Sequence, residues 1–203
     1  MKQIIIFQFR RGELEHGEQA AFECRLGVPK DRLRFINMTR DTIYPRLDEV
    51  AGIIVAGSGD NSMTEDHPWY SDLCDYLQQT FKMGIPYLGV CFGHQLLCRM
   101  LGARVINDKA QRELGSVSIT LTPEGASDVL FKDVPQTFQT IAGHNDSVAD
   151  LPKDFILLAQ NATCGVQALR YKTEAIYGVQ FHPEMTEEDY RSRLLYYRKH
   201  YES

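Results

Sequence analysis

One cysteine stands between two glycines at a point where a predicted strand turns into a predicted helix. The run Gly89-Val90-Cys91-Phe92-Gly93 follows the logic of a G-x-S-x-G nucleophile elbow, with sulfur in place of oxygen. The glycines allow strand and helix to pack closely, and a helix N-terminus favours a thiolate at Cys91. The N–H of Phe92 would then stabilise an oxyanion. Taken alone, the motif is also typical of a buried structural cysteine.

A base for this cysteine could come from His182-Pro183-Glu184, far downstream in the chain. Pro183 favours an extended backbone at His182, and side chains two residues apart in an extended chain project to the same side. A carboxylate at Glu184 could therefore fix the tautomer of His182 and leave its other ring nitrogen facing a thiol. A surface ion pair is the alternative for this motif in isolation. The two motifs together favour a nucleophile, a base and an orienting carboxylate.

Alternating strands and helices are expected to position the cysteine. We expect strands at Gln3–Phe7, Leu33–Asn37, Gly52–Ala56 and Tyr87–Val90, and helices at Gly12–Leu26, Tyr70–Met83 and Phe92–Leu101. Continuous apolar runs separated by helices predict a parallel sheet covered on both faces.

The second half of the chain changes character. Val117, Ile119 and Leu121 alternate with polar residues, which is the period of a strand with one solvated face. Further closely spaced strands at Phe155–Ala159, Val166–Tyr171 and Ala175–Phe181 indicate antiparallel additions. The run 186–189 is similar to a capping box and opens a last helix that ends near Tyr201. We therefore predict one domain over residues 1–203, a three-layer α/β/α sandwich with a mixed, mostly parallel sheet.

Composition excludes several other classes of protein. A net charge of −5 argues against nucleic-acid binding, and no apolar run is long enough to cross a bilayer. We also expect no secretory signal, and hence a cytoplasmic protein. Five cysteines occur with no C-x-x-C pair and no zinc-type spacing, so we expect neither disulfides nor a metal. Four of them are expected to be small buried hydrophobes: Cys24, Cys74, Cys98 and Cys164.

These motifs together resemble those of the class I glutamine amidotransferase family, over essentially the whole chain. The matching stretches are G-V-C-F-G-H-Q at 89–95, Q-R-E-L-G at 111–115, H-N-D-S-V at 144–148 and G-V-Q-F-H-P-E at 178–184. The resemblance is greatest to stand-alone members that are similar to the glutaminase part of GMP synthase. It implies a flavodoxin-like fold and no cofactor. It also implies that Cys91 attacks the side-chain amide of glutamine, with His182 as base and Glu184 as its orienter.

The resemblance also implies the remaining site residues. A loop after the third strand, 56–63, should supply the second oxyanion donor from the backbone of Ser58 or Gly59, although it lacks the family's usual proline. Gln95, His144, Asn145 and Asp146 occupy positions where the family contacts its substrate, and a carboxylate such as Asp146 suits an ammonium group.

Three functions remain open from the sequence. The first is glutamine hydrolysis that supplies ammonia to a separate synthetase subunit, since no ATP-binding G-x-x-x-x-G-K-[ST] motif is present. The second is a γ-glutamyl peptidase that uses the same three residues and needs no partner. The third is a non-enzymatic regulatory subunit, which the intact motifs disfavour.

Overall fold

The amino-terminal half of the chain forms alternating strands and helices, as its apolar runs predict. The computed structural model describes residues 1–201, with side chains as far as Tyr197. Its first elements are β1 (Gln3–Gln8), α1 (Glu13–Arg25), β2 (Leu33–Asn37), β3 (Val50–Val55), α2 (Tyr70–Lys82), β4 (Tyr87–Val90) and α3 (Phe92–Met100). Every helix and strand expected in this half is present, with ends that differ by one or two residues.

The second half is richer in strands than the sequence indicated. Its elements are β5 (Arg104–Asn107), β6 (Glu113–Leu121), α4 (Pro123–Ala126), β7 (Thr137–His144), β8 (Asp146–Asp150), β9 (Phe155–Gln160), β10 (Ala168–Tyr171), β11 (Ile176–Val179) and α5 (Glu187–Tyr201). The strands β5, β7 and β8 were not predicted. The capping box is present, because the Thr186 hydroxyl accepts from the N–H of Asp189 while the Asp189 carboxylate accepts from the N–H of Thr186.

Within residues 1–201, nine strands form one mixed sheet. Their order is β2-β1-β3-β4-β11-β10-β9-β6-β7, and β5 pairs with β8 in a separate two-stranded sheet. The first five strands in this order are parallel to one another, and each of the remaining four is antiparallel to its neighbours. The mixed, mostly parallel sheet is thereby confirmed. One detail of the prediction is wrong: β11 is antiparallel to β10 but parallel to β4.

Successive residues of the central strands pack alternately into two separate hydrophobic cores, one on each face of the sheet. Ile5 and Phe7 of β1 pack with Leu77 of α2 and Leu96 of α3 on one face. Ile6 lies in the other core with Phe22 of α1. This alternation is what a strand buried on both sides requires, and it gives the three layers of the fold.

The pairing of β4 with β11 positions the two sequence motifs. Val90 lies opposite Val179, and the N–H of Cys91 donates to the carbonyl of Val179 at 2.8 Å. Because parallel strands end at the same edge of a sheet, Cys91 and the residues that follow Val179 emerge together. The sheet thus joins the cysteine motif to the histidine motif.

The cysteine prediction needs one correction. Cys74, Cys98 and Cys164 are buried, but Cys24 is exposed on α1. Helix α1 turns only part of its surface towards the sheet, and Cys24 falls outside that part. Across residues 1–201, no helix combines the length and the apolar character needed to cross a membrane.

Candidate active site

Cys91 occupies a strained backbone conformation at the elbow between β4 and α3. Its φ is 52° and its ψ −100°, a region that residues with a side chain rarely adopt. Gly89 and Gly93 permit the turn. A Cβ on Gly89 would lie 2.7 Å from the backbone nitrogen of His94, and one on Gly93 would strike the carbonyl of Val55. The elbow therefore has the geometry that its sequence predicts.

The backbone N–H of Phe92 opens α3 directly after this cysteine. Phe92 is the first helical residue, so its N–H has no intrahelical acceptor, and Cys91 is the N-cap at the positive end of the helix dipole. This geometry suits the role of oxyanion donor that the sequence assigns to Phe92.

His182 and Glu184 form a buried pair. Nδ1 of His182 lies 2.8 Å from Oε1 of Glu184, and each side chain is 2% exposed. Burial alone would lower the pKa of His182, but the charges of Glu184 and Cys91 outweigh it and raise that pKa to about 9. Burial would likewise raise the pKa of Glu184, but His182 and Arg193 lower it to about 2. The carboxylate is therefore ionised and holds a proton on Nδ1 of the ring.

Cys91 and His182 are neighbours at the elbow. The charge of Cys91 is among the causes that raise the pKa of His182. A Cβ placed on Gly57 would lie 2.8 Å from Cε1 of His182 and 3.7 Å from Cβ of Cys91. The side chains of His182 and Cys91 therefore both lie next to Gly57. The thiol also approaches the carbonyl of Gly143 at 3.7 Å.

The loop that follows β3 faces the cysteine with Gly57, a residue that the sequence analysis did not select. Ser58 and Gly59 line the same cavity as Cys91. Side-chain bonds within the loop hold it in shape, since the amide of Asn61 donates to the hydroxyl of Ser58 at 2.8 Å. The loop therefore borders the cavity beside Cys91, which is where an oxyanion donor must lie.

Asp146 ties this loop to β8. Its Oδ2 accepts from the Ser62 hydroxyl at 2.5 Å and from the N–H of Met63 at 3.0 Å, while its Oδ1 accepts from Asn107 at 2.8 Å. The carboxylate thus has a structural partner on both oxygens. Its contact with a substrate ammonium group stays a prediction.

The other predicted substrate residues also lie at the cavity. Gln95 donates both amide hydrogens, to the carbonyl of Asp146 at 2.8 Å and to Gln180 at 3.2 Å, which leaves its own carbonyl for a ligand. His144 is 6% exposed, and Asn145 is exposed beside it. Gln95, His144, Asn145 and Asp146 all line the cavity that contains Cys91.

This cavity has a volume of about 870 Å³. Its lining includes Cys91, several polar residues, the three leucines Leu114, Leu194 and Leu195, and the two arginines Arg112 and Arg191. Leu114 is 67% and Leu195 60% exposed, which is unusual for large apolar side chains. The volume is near the upper limit for sites that bury a drug-sized ligand.

Arg10 adds a buried positive charge that the sequence analysis missed. Its Nε donates to Glu18 at 2.8 Å and its Nη1 to the hydroxyl of Tyr197 at 2.6 Å. Nη2 would lie 3.2 Å from a Cβ on Gly57, so the guanidinium lies close to the side chains of Cys91 and His182. One feature of the sequence could have indicated this position: Arg10 follows the carboxyl end of β1, and ligands of open α/β sheets bind at that edge.

Glu113, His144 and Cys164 offer three ligand-type atoms within 4.8 Å of one another. Hydrogen bonds account for this cluster without a metal. One oxygen of Glu113 accepts from Asn161 at 2.6 Å, and the other accepts from Gln167 and lies 3.1 Å from Nε2 of His144. His144 Nδ1 lies 3.0 Å from the carbonyl of Asp146, so the network fixes the ring on the cavity wall.

Comparisons with known proteins identify the family of this chain. Residues 31–199 match the sequence model of the family "Glutamine amidotransferase class-I". The GMP synthase [glutamine-hydrolyzing] of Streptococcus pneumoniae is 36% identical over 146 residues, which are 71% of this chain but only 26% of that protein. The chain thus spans about a quarter of the length of these curated relatives.

Solved structures match over the full chain. A candidate GMP synthase subunit from Thermoplasma acidophilum is 25% identical with a TM-score of 0.73, and the match covers 100% of this chain and 99% of that one. A glutamine amidotransferase from Thermotoga maritima superimposes with a TM-score of 0.79 at 20% identity, over 100% of this chain and 85% of that one, and shows the shared fold. With its family motifs, its fold and its elbow cysteine, this chain belongs to the class I glutamine amidotransferase family of cysteine amidohydrolases.

Proposed function

We propose that this chain, as a single domain over residues 1–203, hydrolyses the side-chain amide of glutamine through a γ-glutamyl thioester. Cys91 attacks the amide carbon, and His182 takes the thiol proton and transfers it to the departing ammonia. Water then cleaves the thioester, with His182 as the base. Glu184 orients His182 throughout.

One arrangement carries this proposal: the elbow cysteine and the ring of His182 lie next to each other beside Gly57, and Nδ1 of that ring lies 2.8 Å from a buried carboxylate. The N–H of Phe92 and an amide of the 57–59 loop are the candidates for the oxyanion hole. Gln95, His144, Asn145 and Asp146 would hold the α-amino and α-carboxylate groups of the substrate.

The ammonia would be used by a separate synthetase subunit. The Thermoplasma relative is itself named as one subunit of a synthase, and the pneumococcal relatives carry sequence well beyond the part that this chain matches. A partner chain that supplies the synthetase reaction is therefore the arrangement we infer.

The test is ammonia release from glutamine by the purified chain, compared with Cys91→Ala. We expect turnover in the wild type and none in the variant, whose smaller side chain fits the same elbow. A second readout is the labelling rate of Cys91 by a glutamine-like electrophile. Exposed Cys24 is the internal control, and Cys91 reacting no faster than Cys24 would contradict the proposal.

A γ-glutamyl peptidase is the second candidate, and the size of the cavity favours it. A volume of about 870 Å³ exceeds what one glutamine needs, and the leucines in its lining suit a hydrophobic leaving group beyond the γ-amide. The same chain should be assayed on γ-glutamyl-leucine. A kcat/KM well above that for glutamine would select this reading, and the reverse ratio would reject it.

A further inference from the structure

The carboxylate that orients His182 has a second charged partner on the carboxyl-terminal helix. Nη1 of Arg193 lies 3.4 Å from Oε1 of Glu184, the same oxygen that faces His182. This separation is at the long end for a hydrogen bond, so the contact acts chiefly as a charge interaction. Both side chains are nearly inaccessible, with 8% of Arg193 and 2% of Glu184 exposed, and such an environment strengthens the interaction.

Local structure explains how an arginine so far along the chain reaches this carboxylate. The capping box of Thr186 and Asp189 starts α5 directly after Glu184. The helix then runs back over the site, so that Arg193 faces Glu184, and Tyr197 one turn later accepts from Arg10. The residue at which α5 starts therefore determines that the side chain of Arg193 lies next to the Glu184 carboxylate.

Among the side chains described, as far as Tyr197, the charged groups packed around this contact form a balanced set. Arg10 and Glu18 approach from β1 and α1, Arg193 and Tyr197 from α5, and His182 with Cys91 from the two motifs. Burial and the neighbouring Arg10 both lower the pKa of Arg193, whereas Glu18 and Glu184 raise it. This environment is unfavourable for an arginine, whose Nη2 has no hydrogen-bond partner among the described residues, and a buried ion pair often adds little net stability.

We propose that Arg193 is a positioning residue of the site, which holds the Glu184 carboxylate where it orients His182 and makes α5 part of the catalytic machinery. Without this charge, chiefly His182 would oppose the burial that disfavours the ionised carboxylate, so the pKa of Glu184 would rise and the carboxylate would be held less firmly against the ring. The inference rests on the proposed function, since it acts through the Cys91–His182–Glu184 set.

The variants for its test are Arg193→Met, which removes the charge but keeps an apolar stem, and Arg193→Lys, which keeps the charge on a shorter reach. Arg170→Met is the matched control. This substitution removes the arginine that lies 2.6 Å from another buried carboxylate, that of Asp128. Neither Arg170 nor Asp128 lines the cavity.

The first readout is independent of activity: the titration of the Glu184 carboxyl by ¹³C NMR of glutamate-labelled protein, with the signal assigned by its loss in Glu184→Gln. In Arg193→Met we expect its midpoint to rise by roughly one pH unit or more, and in Arg193→Lys by less. The second readout is the acid limb of kcat/KM, which should move in the same direction. Arg170→Met should leave both unchanged.

If the titration midpoint of Glu184 is the same in Arg193→Met as in the wild type, the inference is wrong, even if activity falls. A purely structural role of Arg193 would then explain the loss of activity. If Arg193→Met does not fold, Arg193→Lys decides by the same criterion. The Glu184 midpoint could also shift in a protein that releases no product from any γ-glutamyl amide. That result would contradict the proposed function but would still support the effect of Arg193 on Glu184.

Discussion

Nδ1 of His182 lies 2.8 Å from Oε1 of Glu184, and this contact decides which nitrogen of the ring faces Cys91. A carboxylate only accepts, so it keeps the proton on Nδ1 and leaves Nε2 to exchange a proton with the thiol. The pair comes from three consecutive residues, and Pro183 between them favours the extended chain that turns both side chains to one side. Local sequence alone thus builds two of the three proposed catalytic groups.

The first prediction concerns Glu184→Gln. A glutamine amide can donate as well as accept, so it no longer selects the Nδ1-protonated tautomer. We expect kcat to fall, by less than the loss for His182→Ala, which should be on the order of a thousandfold or more. Steady-state assays of both variants give the comparison. Equal activity of Glu184→Gln and wild type would remove this carboxylate from the mechanism.

The second prediction is a pH dependence of stability. The pKa of His182 is raised from 6.5 to about 9, so its contribution is complete below pH 6.5 and is lost as the pH rises through 9. The pKa of Glu184 is lowered from 4.5 to about 2, so its contribution is complete above pH 4.5 and is lost as the pH falls through 2. The pair therefore stabilises the fold most between pH 4.5 and 6.5.

Urea unfolding of wild type and Glu184→Gln over this range measures the effect. The difference in the free energy of unfolding should be largest between pH 4.5 and 6.5 and should shrink towards pH 9. A difference that stays constant to pH 9 would show that the ion pair does not form. Arg46→Gln is a suitable control, because its pair with Asp48 is solvent-exposed and should contribute little at any pH.

The third prediction concerns the elbow. In Gly93→Ala the new methyl would lie 2.7 Å from the carbonyl carbon of Val55, on the neighbouring strand, where no side chain can move aside. We expect a loss of about 2–3 kcal/mol or more in the free energy of unfolding. Gly17→Ala is the control, since Gly17 lies in α1 with open space around it. It should stabilise the protein by about 0.5–1 kcal/mol.

Denaturant titration of the two variants separates crowding at the elbow from a general effect of adding a methyl group. Similar changes in both proteins would mean that the elbow is not tightly packed. A destabilised Gly93→Ala that keeps full activity would also argue against the need for close strand-to-helix packing at Cys91.

Local motifs predicted the elbow and the histidine motif because each is built from a few consecutive residues. The strand β7 escaped prediction, since Thr137–His144 contains alanine and glycine where an alternating apolar pattern would be expected. Yet β7 matters to the site, because the N–H of His182 donates to Ile141 and the Cys91 thiol faces Gly143. Such contacts depend on how the sheet curls, which no local pattern encodes.

Arg10 and Arg193 were missed for a different physical reason. An isolated arginine is ordinarily exposed, and a helix such as α5, rich in charged residues, is typical of a solvated surface. Only the return of α5 over the carboxyl ends of β1 and β3 buries Arg193 beside Glu184. The sequence therefore indicated the proposed reacting groups but not the charges that surround them.

The last prediction separates two roles of Asp146, with Asp146→Asn. Both carboxylate oxygens accept hydrogen bonds, from Ser62 and Met63 on one side and from Asn107 on the other. The NH2 group of an asparagine at this position would face one of the groups that donate to Asp146, so that hydrogen bond would be lost and the 57–64 loop would loosen. Misplacing an oxyanion amide should lower kcat on the order of 10- to 100-fold. Loss of a contact with the substrate ammonium would instead raise KM.

A glutamine analogue without its α-amino group distinguishes the two roles directly. If Asp146 acts by tethering the loop, the variant loses the same factor in kcat on this analogue as on glutamine. If it binds the ammonium, the penalty disappears on the analogue. Asp150→Asn is the matched control, because Asp150 lies on the same strand but is paired with Arg104 in solvent. Because three loop and strand donors already converge on this carboxylate, we expect the loss of kcat to persist on the analogue.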